Sequence, residues 1–192
     1  MTKLAAVEAP PAWYDKIYTR GSRGEEYVQP IHDWIGARVY KSHVLLDLGC
    51  GPGQFADHLI NLGYFGRCVG VDFSDVAMRR ARESWCLSSE ARDAPGKYMF
   101  VKADIRRWAQ FKGVDTVVLC ETLEHIFKDR DLLSRIPRGT RVVGSVPTFG
   151  GRNCHVRSFP SLASVVRRYG DLLDFLEIVK VAKSWCFVSY AL

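Results

Sequence analysis

Val44-Leu45-Leu46-Asp47-Leu48-Gly49-Cys50-Gly51-Pro52-Gly53 is an apolar run that closes on the pattern D-x-G-x-G-x-G. An apolar run bounded by glycines reads as a strand buried on both faces that feeds a tight turn. Glycines at alternate positions strip the Cβ atoms from one edge of that turn, so the backbone can approach a ligand closely. The helix expected next, near Phe55–Leu62, aims its N-terminal N–H groups at the same spot. A dinucleotide fingerprint needs a further glycine at position 54, which is Gln54, so that motif's phosphate logic fits poorly. Asp47 adds a carboxylate that repels a pyrophosphate and welcomes an ammonium.

Outward from this turn, strand and helix signals alternate. Strands are expected at Val44–Leu48, Cys68–Val71, Tyr98–Lys102, Val114–Cys120 and Arg141–Val146. Helices are expected at Asp75–Leu87, Arg106–Gln110 and Asp129–Ile136, with a last one opened by Pro160 and running to about Arg168. Two apolar runs, Phe175–Val181 and Trp185–Tyr190, are joined by a short polar link that suits an antiparallel hairpin. Upstream, Trp13–Tyr18 and Glu25–Val39 have helical spacing, with Tyr27, Ile31, Trp34, Ile35 and Val39 forming an apolar stripe. The break Arg20-Gly21-Ser22-Arg23-Gly24 separates these two helices, and residues 1–11 read as a loose arm. The expected fold is α/β, one domain with a mostly parallel seven-stranded sheet, a C-terminal antiparallel hairpin and helices on both faces. Within it, residues 1–40 form an arm and helices covering the ligand, and residues 41–192 form the core.

A chain of 192 residues, 47% hydrophobic and 25% charged, supports one full core and excludes a disordered or collagenous class. The net charge of +6 is compatible with an anionic partner and decides nothing alone. Arg79-Arg80, Arg106-Arg107 and Arg167-Arg168 fall on separate expected helix faces, so they read as surface and give no nucleic-acid footprint. Six scattered cysteines without a C-x-x-C pair exclude a disulfide framework and a zinc site. No run approaches a membrane span and no signal pattern is present, so a reducing, cytoplasmic setting is expected.

The glycine turn resembles motif I of the Rossmann-like S-adenosylmethionine-dependent methyltransferases, whose ligand carries an amino-acid end rather than a pyrophosphate. The resemblance implies S-adenosyl-L-methionine as cofactor and S-adenosyl-L-homocysteine as product. Asp47, Gly49, Cys50, Gly51 and Gly53 would then position the amino-acid end. In open α/β sheets ligands sit beyond the carboxyl ends of the strands. After the second strand, about 20 residues past the turn, Asp72 is placed to accept both ribose hydroxyls, with Phe73 near the adenine. Ser74 is the better placed cap for the Asp75–Leu87 helix. After the third strand, Asp104 and Ile105 would meet the adenine amino group and ring, and Asp104 is equally a cap for the segment starting at Arg106. Among the aromatics Tyr14, Tyr18 and Tyr27, Tyr18 is assigned to the cover over the donor, together with Glu121 from the fourth strand.

Cys120-Glu121-Thr122-Leu123-Glu124-His125 matches an E-x-x-E-H pattern. It resembles ubiquinone-pathway O-methyltransferases and small-RNA 3′-end methyltransferases, which implies that Glu121, Glu124 and His125 hold Mg²⁺ or Mn²⁺. Carboxylates three apart share a face of a helical turn, and with an imidazole they suit such an ion. The other reading needs no metal: His125 is a general base, with Glu121 beside it. His155, in the loop 147–159, is a second base or a fourth ligand, and Arg157 is either a loop charge or functional. The 30 positions from His125 to His155 are fewer than the RNA enzymes imply.

These residues leave three functions open: methyl transfer to an oxygen or nitrogen of a small molecule, metal-assisted 2′-O-methylation of an RNA terminus, or a non-catalytic cofactor-binding partner. The small-molecule acceptor leads, and the sequence leaves the oligomeric state open.

Overall fold

The central strand β1 (Val44–Leu48) has its last four residues buried, as its uninterrupted apolar run requires. The computed structural model describes residues 7–20, 25–88, 91, 94–150 and 154–192. The first six residues of the arm, the break at 21–24 and the middle of the 147–159 loop lie outside the described residues. On one side β1 pairs in parallel with β2 (Arg67–Asp72), and β2 with β3 (Tyr98–Lys102). On the other it pairs with β4 (Thr116–Cys120), and β4 with β5 (Arg141–Pro147). An antiparallel strand, β7 (Ser184–Ala191), follows β5 and carries β6 (Leu173–Val181) at the edge. The order is β3-β2-β1-β4-β5-β7-β6, so the chain reverses its winding between β1 and β4. Ligands of open α/β sheets bind beyond the carboxyl ends of the strands at such a switch point.

Alternate side chains of the inner strands feed two cores. Leu45, Val118 and Val143 pack with Ile31, Ile35 and Val39 of α2 (Glu25–Val39) and with Phe55 and Leu59 of α3 (Gln54–Asn61). Leu46, Val117 and Val142 pack on the other face with Leu132 and Leu133 of α5 (Asp129–Leu133) and with Val165 and Tyr169 of α6 (Leu162–Tyr169). The period of two along each strand therefore separates the cores. Over the carboxyl ends, α1 (Pro11–Thr19) lies against α4 (Asp75–Leu87). Asp15 ties the pair, accepting hydrogen bonds from the Ser74 hydroxyl at 2.5 Å and the Val76 N–H at 3.2 Å. Among the described residues no helix is long and apolar enough to cross a membrane.

Most expected elements shift by a residue or two at their ends, and four of the differences bear on how the chain folds locally. The helix expected at Arg106–Gln110 is a single 3₁₀ turn, Ile105–Arg107, because Trp108 turns extended and buries its indole. The strand β4 starts at Thr116 rather than Val114, and just ahead of it the Asp115 carboxylate accepts the His43 and Val44 N–H groups at 2.8 and 3.0 Å. The helix Asp129–Ile136 stops at Leu133, where i→i−3 bonds from Arg135 and Ile136 tighten the chain ahead of Pro137. Pro160 does not open α6. Ser161, extended, caps it through a reciprocal box with Ser164.

Candidate active site

The glycine turn hangs from β2 by hydrogen bonds from the Gly49 and Cys50 N–H groups to the Val71 carbonyl, at 2.8 and 3.2 Å. Gly49 and Gly53 have φ of 80° and 88°, a region costly for residues with a Cβ. A Cβ at Gly49 would lie 2.7 Å from the Thr122 hydroxyl, and one at Gly53 would lie 3.0 Å from the Ala81 Cβ on α4. These glycines thus let the turn seat against β4 and α4 as well as against a ligand. Gly49→Ala is expected to destabilise the chain by about 1–3 kcal/mol through strain and overpacking, read by chemical denaturation. An unchanged midpoint would refute this packing role.

The cleft beyond the turn holds about 610 Å³ of empty space, counting its open mouth. Asp72 and Phe73 line it, and Asp72 is 6% exposed. Its carboxylate accepts the Gly51 N–H at 3.1 Å and the Ser74 N–H at 2.9 Å. Burial raises its pKa, opposed by those N–H groups. Ser74 caps α4, accepting the Ala77 N–H at 3.1 Å. Asp47, 2% exposed, is pushed up to about 7, by burial first and then by the charge of Asp72. The Cys50 side chain turns into a cluster with Ala77, Met78 and Ala81, so what it presents to the turn is main chain.

Asp104 and Ile105 form another wall. The Asp104 carboxylate is engaged in place: it accepts the Arg106 N–H at 3.0 Å and is gripped by the Arg106 guanidinium at 2.7–3.0 Å. Arg106, expected at the surface, instead borders the cleft and reaches Glu8 at 2.6 Å. Glu8 also accepts the Phe127 N–H, closing the arm across the mouth. Tyr14 packs on Phe73 with ring centres 5.3 Å apart, while the Tyr18 hydroxyl stands over Gly51.

The β4 end differs from the sequence reading. Glu121 has φ 49° and precedes a 3₁₀ turn, Leu123–His125, so no helical turn carries both carboxylates on one face. Its Oε2 accepts the Tyr27 hydroxyl at 3.1 Å, and Tyr27 meets the Ser184 hydroxyl at 2.5 Å. Glu124 is fully buried, and both of its carboxylate oxygens and Oε1 of Glu121 lack hydrogen-bond partners. Burial raises the pKa of both groups. The His125 Nδ1 lies 3.0 Å from the Cys154 carbonyl, an acceptor, so Nδ1 carries the proton and Nε2, 3.5 Å from Oε1 of Glu124, is the unprotonated nitrogen. Burial holds His125 down to about 4, and the neighbouring His155 adds to this. Its ring stands perpendicular to that of His155 at 4.8 Å.

The metal set Glu121, Glu124 and His125 is not assembled. Among the described residues the donor atoms within 4.8 Å of one another belong to His125, Cys154 and His155. A hard ion such as Mg²⁺ or Mn²⁺ prefers oxygen ligands, which this nitrogen and sulfur set does not supply. Arg157 is not a solvated charge: its side chain is tied to main-chain carbonyls and to a carboxylate. It donates to the Leu123 carbonyl at 2.7 Å, to the Ile126 carbonyl and to the Phe127 carbonyl at 3.0 Å, and it pairs with Asp129 at 2.9 Å. Sequence reasoning missed Thr122, whose hydroxyl is within reach of the Leu48 and Cys120 carbonyls. It also missed Glu8, for which the sequence carries no signal.

A family model described as a methyltransferase domain matches residues 45–144. The trans-aconitate 2-methyltransferase of Azoarcus sp. (strain BH72) is 29% identical over 136 residues, 70% of this chain and 49% of that protein. The chain thus spans about half the length of this curated relative, and less of the others it matches. The Burkholderia thailandensis 1,6-didemethyltoxoflavin-N1-methyltransferase, solved with 1,6-didemethyltoxoflavin and S-adenosylhomocysteine, superposes with a TM-score of 0.72 at 16% identity, covering 97% of this chain and 93% of that one. N-methyltransferase NodS from Bradyrhizobium japonicum WM9, in complex with S-adenosylhomocysteine, gives 0.65 at 16% identity over 91% and 87%. At these identities the two structures speak for the fold.

Proposed function

This chain belongs to the methyltransferase domain family, and we propose that it binds S-adenosyl-L-methionine and transfers the methyl group to a small molecule. The observation that carries this reading is the cleft at the β1–β4 switch point, where the glycine turn, the twice hydrogen-bonded Asp72 and the neutral His125 meet under α1. When bound, the sulfonium donor supplies an electrophilic methyl, so the protein's task is alignment and proton removal. Asp47 and the glycine turn hold the amino-acid end, Asp72 the ribose, and Ile105 with Phe73 the adenine. Arg106 holds both Asp104 oxygens, so Asp104 meets the adenine amino group only by sharing that grip. His125, its tautomer fixed by the Cys154 carbonyl, takes the acceptor's proton at Nε2. No step is routed through a metal, because the oxygen ligands are not brought together.

Isothermal titration with S-adenosyl-L-homocysteine tests the cofactor half. One site per chain is expected, and absence of binding would overturn the reading. The pH dependence is specific. Asp47 titrates near 7 in the free protein, well above the ordinary ~3.9, so its charge opposes folding increasingly from about pH 4 to about pH 7. An ammonium beside it favours the ionised form, so binding releases a proton. Affinity is therefore expected to be flat above about pH 7 and to fall up to about tenfold per unit below it. Asp47→Asn should bind weakly at all pH values and abolish that slope. A slope that survives the substitution would remove Asp47 from the cofactor site.

A further inference from the structure

We propose that the acceptor is a nitrogen base carrying an N–H, such as an amine or an N–H heterocycle, and not a carboxylic acid. This rests on the methyltransferase reading above and names the substrate class of the same site. Beyond the donor cleft the rings form a continuous chain. Tyr14 meets His125 at 5.9 Å, His125 meets His155 at 4.8 Å, His155 meets Phe149 at 5.8 Å, and Phe149 meets Tyr27 at 5.9 Å. The Tyr27 hydroxyl then closes on Glu121. Of these rings Tyr14 and His125 line the cleft itself, beside Glu121. Oε1 of Glu121, at the cleft wall, is buried without a hydrogen-bond partner, and Nε2 of His125, 3.5 Å from Oε1 of the core carboxyl Glu124, is a lone pair. Buried acceptors left unpaired are costly, so they mark where a ligand's donors belong.

Charge points the same way. Among the described residues the cleft lining carries one guanidinium, Arg106, and this sits at the adenine wall, already bound to Asp104 and Glu8. Among the described residues, a carboxylate acceptor would enter beside the Glu121 carboxyl, and the lining offers it no unpaired cation. An N–H base instead donates to Glu121 and gains contact with aromatic faces, which also favour a cation. The transfer then balances: the methyl–sulfur bond breaks as the nitrogen–carbon bond forms, the sulfur keeps the electron pair, and the nitrogen's proton passes to Nε2 of His125.

The test uses the full chain saturated with S-adenosyl-L-homocysteine, titrated with benzimidazole, benzylamine, benzoate and trans-aconitate. Parallel incubations with S-adenosyl-L-methionine are read by mass spectrometry. At least one of the two bases is expected to bind tenfold or more tightly than either acid, and to be the probe that gains 14 mass units, about one methylene. Glu121→Gln should reduce binding of the base by about tenfold while a folded melting transition is retained. Phe149→Leu, which removes an aromatic face and no charge, should weaken the base without improving the acids. Preferential binding or methylation of benzoate or trans-aconitate would overturn the proposal, as would binding of none of the four to the loaded protein. Failure to bind S-adenosyl-L-homocysteine in the first titration would instead bring down the underlying reading, so the two failures are told apart.

Discussion

Asp129→Ala is expected to cost about 3–5 kcal/mol of stability, a fall in Tm of roughly 6–20 °C for a domain of this length. The Asp129 carboxylate is fully buried. It accepts from Arg168 at 2.5 and 2.8 Å, from the Tyr169 hydroxyl at 2.6 Å and from Arg157 at 2.9 Å. Removing it leaves two guanidinium groups and a phenol facing one another in the gap between α5 and α6, and that uncompensated charge sets the magnitude. The effect should reach the site as well. Arg157 spans from Asp129 to the carbonyls of Leu123, Ile126 and Phe127, so its release loosens the segment bearing His125. Asp129→Asn keeps the shape with one acceptor oxygen fewer and should lose less. Asp171→Ala, which breaks the exposed pair with Arg130 at 2.6 Å, should barely move the midpoint. Equal losses for Asp129→Ala and Asp171→Ala in urea denaturation would rule out the buried hub.

Legibility in the sequence tracks the strength of each local signal. The β1 run and the glycine turn could be read because burial on both faces and positive φ each demand particular residue types. Together with the strand–helix alternation they pointed to the sheet and its antiparallel hairpin. Asp72 and Ser74 were legible for the same reason: a short acidic–serine step after a buried strand has few structural uses. Glu124 was not. Spacing of three put it beside Glu121 on a helical face, but Glu121 adopts a left-handed backbone, and that single residue redirects the carboxyl into the core. Arg106 and Arg157 were misplaced because a charged side chain's partner is set by tertiary contact. Glu8 lies 98 positions from Arg106, and Asp129 lies 28 from Arg157. No local window contains either pair.

Asp72→Asn is expected to weaken S-adenosyl-L-homocysteine binding by about 2–3 kcal/mol, roughly 30- to 150-fold. The wild-type carboxylate offers two oxygens with lone pairs to spare. One accepts the Gly51 N–H and the other the Ser74 N–H, and each retains capacity for a ribose hydroxyl. An amide has one acceptor oxygen, so its NH₂ must face either the Gly51 N–H or the Ser74 N–H, donor against donor. If the amide oxygen keeps Ser74, the glycine turn loses its brace at Gly51 before any ligand arrives. If it keeps Gly51, the start of α4 loses a contact, although Ser74 still caps the helix through Ala77. Either way one ribose hydroxyl goes unpaired in a buried site. Asp104→Asn tests the opposite case. That carboxylate is given over to Arg106 at both oxygens already, so its loss should cost the ligand less than tenfold. The ranking is the decisive measurement: if Asp104→Asn weakens binding more than Asp72→Asn does, the adenine wall rather than the ribose carboxylate anchors the nucleoside, and the assignment of Asp72 fails.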